Sequence, residues 1–364
     1  MKRNGRLVAS PTNEISKDLA QHVSWADASR TPCEDVTHHT VGEDIILPPT
    51  NANITKTRRK TMTNEQRIKL LGAPVGKIDV VLDTDAYNDI DDQFAIAYLL
   101  KYADRADTKA IYAAPFHNAK SNGPKDGMEK SYDEIKKLLG LMNTDREVFL
   151  GSESYLADEN TPVDSPAARD LAERVMNYTP ENPLYIVAIG AITNVASAIL
   201  LNPEIAERAV LVWLGGHALH YHDTREFNMK QDFAAARVIY KSGIPFVQLP
   251  CFGVVSDFTI SKQELEYWFM NKNPLSDYLA RNSIEEAESY AAGRNWTRVI
   301  WDVTAVAWLF NDSDKFMCSR VLDKAYLPEY SGKYESEPTG YPMRYVYYIK
   351  RDALMNDLIN RTTK

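Results

Sequence analysis

Between residues 78 and 249 short apolar runs alternate with stretches of helical periodicity, and that alternation leaves few folds open. The runs at 78–82, 110–114, 147–150, 184–189, 209–214 and 246–249, several of them rich in Val and Ile, read as buried strands. Between them, 93–102, 129–141, 167–177, 194–201 and 233–242 read as helices. Strand–helix alternation of this kind predicts an α/β fold, an open, mainly parallel, doubly wound sheet flanked by helices. Residues 261–292 and 302–311 also read as helical, and 341–349 as a late strand before a closing helix. No internal repeat is present. Residues 1–62 are polar, carry Pro11, Pro32, Pro48 and Pro49, and lack periodicity, so they are expected to be a mostly disordered extension to one α/β domain over 63–364.

The net charge of −8 gives a polyanion no long-range attraction, which argues against a nucleic-acid partner and leaves a small molecule as the expected ligand. Cys33, Cys251 and Cys318 show no paired spacing, so neither a disulfide framework nor a zinc knuckle is predicted. No apolar run is long enough to span a bilayer. Lys2, Arg3 and Arg6 have no apolar stretch behind them, and Glu14, Asp18 and Asp27 follow too soon for an organelle transit peptide. A cytoplasmic protein without membrane contact is the expectation.

The chemistry concentrates where the first strand ends, in Asp83-Thr84-Asp85-Ala86-Tyr87-Asn88-Asp89-Ile90-Asp91-Asp92. Ligands bind beyond the carboxyl ends of strands in open α/β sheets. Aspartates at this density repel one another unless a cation or a dipole compensates, and Asp91 and Asp92 stand at a helix N-terminus. Hard oxygen donors suit Ca²⁺ or Mg²⁺ better than a soft metal. An EF-hand loop does not fit: its sixth and twelfth positions, counted from Asp83, are Asn88 and Phe94, where Gly and Glu are needed. A solvated acidic loop capping a helix is the plainer alternative.

The cluster resembles the N-terminal motif of the nucleoside hydrolases, the inosine–uridine preferring nucleoside N-ribohydrolases, which runs Asp-x-Asp-Pro-Gly-x-Asp-Asp. Asp83, Asp85, Asp91 and Asp92 match its aspartates, while Ala86 to Ile90 is longer than Pro-Gly-x by two residues. Further segments resemble family blocks in the same order: Ala188-Ile189-Gly190-Ala191-Ile192-Thr193-Asn194, Trp213-Leu214-Gly215-Gly216, Glu226-Phe227-Asn228 with Asp232, and Trp301-Asp302 opening a helix. Taken singly, the glycines also suit plain strand-to-helix turns, Glu226 and Asn228 a surface loop, and Asp302 a helix cap.

The resemblance implies calcium held by Asp85, Asp92, Asp302 and the backbone carbonyl of Ile189, with Asp85 as general base on the attacking water. It also implies Asp91, Glu226 and Asn228 on the ribose hydroxyls, His220 at the ribose 5′-hydroxyl, Asn118 reaching ribose or metal waters, and Asp83 in a supporting position. Asp89, in the lengthened loop, receives no role. Trp301 stands where many members have His, and the purine-preferring branch has Trp there to stack the base; as plain core, it would carry no such meaning. Phe116 and Trp296 are candidates for a second stacking ring. The histidines His217, His220 and His222 have a spacing that suits zinc, but they follow a glycine pair in a loop. The expected activity is calcium-dependent hydrolysis of ribonucleosides, purine ones first, in a family whose members commonly self-associate. The alternatives are a ribosyl hydrolase for a modified or pyridine nucleoside, and a non-catalytic ribosyl-binding protein.

Overall fold

Among the described residues ten strands form: β1 (Ile78–Thr84), β2 (Ala106–Ala113), β3 (Glu147–Phe149), β4 (Leu184–Ala188), β5 (Ala209–Leu214), β6 (Phe246–Leu249), β7 (Thr259–Ser261), β8 (Thr297–Val299), β9 (Met317–Leu322) and β10 (Met343–Ile349). Eight of them make one sheet in the order β3-β2-β1-β4-β5-β6-β10-β9, and β7 with β8 makes a separate antiparallel ribbon. Every pairing in the large sheet is parallel except β10 with the edge strand β9. The computed structural model describes residues 62–364, so the extension expected before them lies outside the described residues. The described part begins firmly. Buried Met62 donates its backbone N–H to Glu207 at 2.8 Å, and Thr63 with Gln66 forms a capping box on the helix Asn64–Leu70.

The central strands are apolar at nearly every position because both faces are covered. Val80, Leu82, Val187, Val212 and Leu249 enter one core, while Val81, Ile186, Leu211 and Phe246 enter the other, the two-residue period of a strand. The helices Asp91–Lys101 and Val303–Trp308, buried along almost their whole length, pack together in the first core.

From β1 the chain builds outward to β2 and β3, then returns to place β4 on the other side of β1. That reversal makes the carboxyl ends of β1 and β4 a topological switch point, where the following loops diverge and open a crevice. Asn194 ties the crevice together. Its Nδ2 donates to Asp83 Oδ1 at 2.7 Å and to the Ala113 carbonyl at 3.1 Å, and its Oδ1 accepts from the Ser152 N–H at 2.7 Å. The ends of β1 and β2 and the loop after β3 thus share one buried amide on the helix Thr193–Leu201 that follows β4. Asn194→Ala should leave those groups unpaired, each costing about 1–3 kcal/mol. The expected result in thermal unfolding is a midpoint lower by roughly 5 °C or more, given about 2–4 °C per kcal/mol for a domain of this size; an unchanged midpoint would contradict the tie.

Two stretches differ from expectation. The region 261–292 contains one long helix, Pro274–Ala291, but before it come β7, a single turn Lys262–Glu264 and a π-helical turn Leu265–Phe269. Asn271 at φ 61° interrupts the path, and Asn273 caps the long helix with Pro274 at its first position. The strands β8 and β9 were not anticipated, being short or mixed in polarity and held by long-range pairing.

Candidate active site

Asp83 and Thr84 close β1, Asp85 follows at once, and after a turn Asp91 and Asp92 open the next helix, so one strand–helix unit delivers four carboxylates to the crevice. Asp302 arrives from the N-terminus of Val303–Trp308, its backbone N–H donating to Asp91 Oδ2 at 3.3 Å. Carboxylate oxygens of Asp91, Asp92 and Asp302 lie within 4.8 Å of one another, all three residues buried. Asp92 accepts the Thr84 hydroxyl. Asp85 is fully buried and neither of its carboxylate oxygens has a hydrogen-bond donor.

Burial pushes Asp85, Asp91 and Asp302 well above the usual carboxylate range, and repulsion among the acids adds to it. Asp92 is raised to about 7 by burial, with the Thr84 hydrogen bond pulling the other way. Asp83 is likewise raised to about 7 by burial, against the Asn194 hydrogen bond. Gly190 makes this crowding feasible: a Cβ there would fall 2.9 Å from Asp85 Oδ1 and 3.0 Å from Ala114 Cβ. All-oxygen donors, buried and mutually repelling, together with an orphaned carboxylate, fit a hard divalent cation. The triplet includes Asp91, which the family resemblance assigns to the sugar, while Asp85 lies outside it.

Asp91, Asp92 and Asp302 form one side of a cavity of about 480 Å³, while Asp83 and Asp85 are buried and do not line it. Glu226 and Asn228 line it too, carried by the short helix Phe227–Gln231. Glu226 caps that helix, accepting from the backbone N–H of Asn228 at 2.8 Å and of Met229 at 3.0 Å, and from Gly216 at 3.0 Å. Gly216 adopts φ +74°, and a Cβ there would meet the Tyr334 hydroxyl at 2.5 Å. Asn228 donates to the carbonyls of Ile189 and Leu214, both at 3.0 Å. The Ile189 carbonyl therefore already serves as an acceptor, and its second lone pair is what remains for a cation. Asn118 lines the cavity and donates to Asn88 at 2.6 Å. Asp89 is tied to Arg298 on β8, which also pairs with Glu286 at 3.5 Å. The lengthened loop is thus pinned by an arginine far along the chain.

The aromatic wall is where expectation and structure part. Trp301 lines the cavity, and its partner is Phe252, edge-to-face at 5.5 Å and 84°. Phe116 and Trp296 do not line it: Phe116 is fully buried, and Trp296 is buried with its indole N–H on Glu288 at 3.0 Å. His217, not His220, faces the site, because the turn at Gly216 brings it against Phe252 at 4.9 Å, where its Nδ1 accepts the Phe252 N–H at 3.3 Å. Burial lowers the His217 pKa. His220 is exposed and lines a neighbouring cavity with Tyr221 and His222, which corrects its expected place at the ribose. The three histidines do not converge on a metal site among the described residues.

Sequence reasoning passed over Phe252, weighed His217 only for zinc, and gave Arg225 and Lys230 no role, though all four stand in the cavity wall. The first two are brought together from the loops after β5 and β6, a meeting no local pattern announces. Arg225 and Lys230 flank the quoted Glu-Phe-Asn segment and were legible as charges beside it.

Buried carboxylates at a switch point thus share one cavity with Glu226, Asn228 and the Trp301–Phe252 pair. Residues 80–339 match the model of the inosine-uridine preferring nucleoside hydrolases. The non-specific ribonucleoside hydrolase RihC of Salmonella paratyphi A is 27% identical over 258 residues, 64% of this chain and 79% of that protein. In fold, a plant nucleoside hydrolase superposes with a TM-score of 0.62 at 19% identity, covering 79% of this chain and 99% of its own. A purine-preferring ribonucleoside hydrolase from Gardnerella vaginalis gives 0.58 at 19% identity, covering 78% and 98%. The chain belongs to the inosine-uridine preferring nucleoside hydrolase family, a family of N-glycosyl hydrolases. No helix among the described residues is long and apolar enough to cross a membrane.

Proposed function

We propose that this protein hydrolyses the N-glycosidic bond of ribonucleosides, purine ribonucleosides foremost, with calcium as its cation, releasing free base and ribose. The observation that carries the reading is the triplet Asp91, Asp92 and Asp302 in the wall of a cavity of about 480 Å³, with the orphaned, fully buried Asp85 behind it. A carboxylate with no donor for either oxygen needs a cation or a reacting partner.

Asp85, Asp92, Asp302 and the free lone pair of the Ile189 carbonyl would hold the ion, which when bound compensates the acids and acidifies a water. The remaining work falls to the chain itself. Asp85 takes the proton of the attacking water. Asp91 accepts from a ribose hydroxyl, and Glu226 and Asn228 hold the sugar at the neighbouring wall, with Asn118 reaching toward it. As positive charge builds on the sugar, the clustered carboxylates stabilise it, as in O-glycoside cleavage. Asp83 keeps the strand end in place through Asn194.

The proposed purine preference rests on Trp301 and Phe252, two rings packed edge-to-face in the cavity wall, against which a flat base would stack. Base stacking on an aromatic ring is worth about 1–3 kcal/mol. Trp301→Ala should therefore raise KM for inosine by roughly tenfold, with a smaller rise for uridine, whose ring presents less surface. A panel of inosine, adenosine, uridine and cytidine, read by free ribose, tests both parts. Purines should lead; equal rates for all four would remove the purine preference, and no ribose from any would end the proposed activity.

A further inference from the structure

The cavity of a protein with net charge −8 carries three cationic side chains, Lys120, Arg225 and Lys230. Lys120 is neutralised by Glu286 at 2.7 Å. Among the described residues the other two have no carboxylate within ion-pair distance; Asp223 feels the charge of Arg225 but makes no ion pair with it. Glu226, four residues before Lys230, spends both carboxylate oxygens on the backbone N–H groups of Gly216, Asn228 and Met229. Asp223 accepts from the Arg225 backbone at 3.0 Å and pairs with His222 at 3.1 Å. The Lys230 ammonium lies 5.3 Å from the Phe227 ring centroid, and the Arg225 guanidinium donates to the Ser331 carbonyl. Both residues are exposed, so their charge carries little desolvation cost, and they stand on either side of the proposed sugar clamp.

Granted the reading above, a bound ribose has three directions to fill. Its diol meets the acids, and its base meets Trp301 and Phe252. The substituent at C5′ is left for the wall built by residues 225–230. An anion there would be attracted by two unpaired cations, while next to the acidic triplet it would be repelled. We propose that the substrate class is the 5′-phosphorylated ribonucleosides, with Arg225 and Lys230 holding the phosphate. The hydrolysis is otherwise unchanged: water oxygen bonds to C1′, the C1′–N electron pair leaves with the base, which takes up a proton, and ribose 5-phosphate is the sugar product.

The test compares inosine with inosine 5′-monophosphate, on the calcium-loaded wild-type protein and on the Arg225→Gln/Lys230→Gln variant. Base release gives kcat/KM, and calorimetry gives Kd. For the wild type, the monophosphate should exceed inosine in kcat/KM and bind more tightly, by about 10- to 100-fold at low salt, a range set by charge-assisted contacts. The advantage should shrink with ionic strength and vanish in the variant, whose handling of inosine should not change. Inosine used as well as its monophosphate, or a variant that loses both equally, would overturn the proposal. If neither compound is cleaved, the hydrolase reading fails, and the binding ratio alone decides this one: tighter binding of the monophosphate that is lost in the variant upholds it, and equal binding overturns it.

Discussion

Asp85→Asn is expected to lower kcat for nucleoside hydrolysis by roughly 10³-fold or more, within the range of a lost general base, and to make the cation-free protein more stable. The two effects have one cause. In the absence of a cation, burial and the charges of Asp92 and Asp91 push Asp85 toward its neutral form, so ionising it near neutral pH opposes folding. The sign follows directly: a raised folded-state pKa on an acid contributes stability at low pH that is lost as pH rises toward the folded value. Asparagine removes the charge and keeps the size. The cation-free variant should therefore melt a few degrees higher than wild type at pH 7 and show less pH dependence, at about 2–4 °C per kcal/mol. A variant that melts lower, with hydrolysis intact, would mean that Asp85 is an ordinary structural carboxylate. Destabilisation stored at a catalytic group is a common trade between stability and activity.

The second large effect concerns the cation. Four buried acids that resist joint ionisation should ionise together once a divalent ion enters, and the ion's binding energy then adds to folding stability. At a hundred times the dissociation constant this amounts to about 2.7 kcal/mol, so calcium should raise the melting midpoint of the stripped protein by roughly 5 °C. Asp302→Asn should abolish most of that rise, since Asp302 is the acid contributed by a different element and closes the triplet.

What the sequence made legible is what local order determines. The strand that ends in Asp83-Thr84-Asp85 and the helix that opens at Asp91 both follow from short-range pattern, so the acids could be placed on one loop before any contact was known. Gly190 and Asn194 were readable as a turn, but the reason for Gly190 lies across the crevice, in Asp85 and Ala114. The aromatic wall was not legible, because Phe252 and Trp301 meet from distant loops. His220 was assigned by counting through a loop whose path depends on Gly216 at φ +74°, and that turn presents His217 instead. Asp89 was unreadable for a similar reason, its partner Arg298 lying on a ribbon of three-residue strands. Arg225 and Lys230 are legible in the sequence as charges beside Glu226-Phe227-Asn228.

Release of free ribose from inosine, followed before and after stripping with a chelator and again after adding back calcium or magnesium, tests the central claim most directly. The account predicts hydrolysis that disappears on chelation, returns with calcium and returns less fully with magnesium, and stays absent in Asp85→Asn under every condition. Hydrolysis that persists in the stripped protein, or in Asp85→Asn, would contradict it.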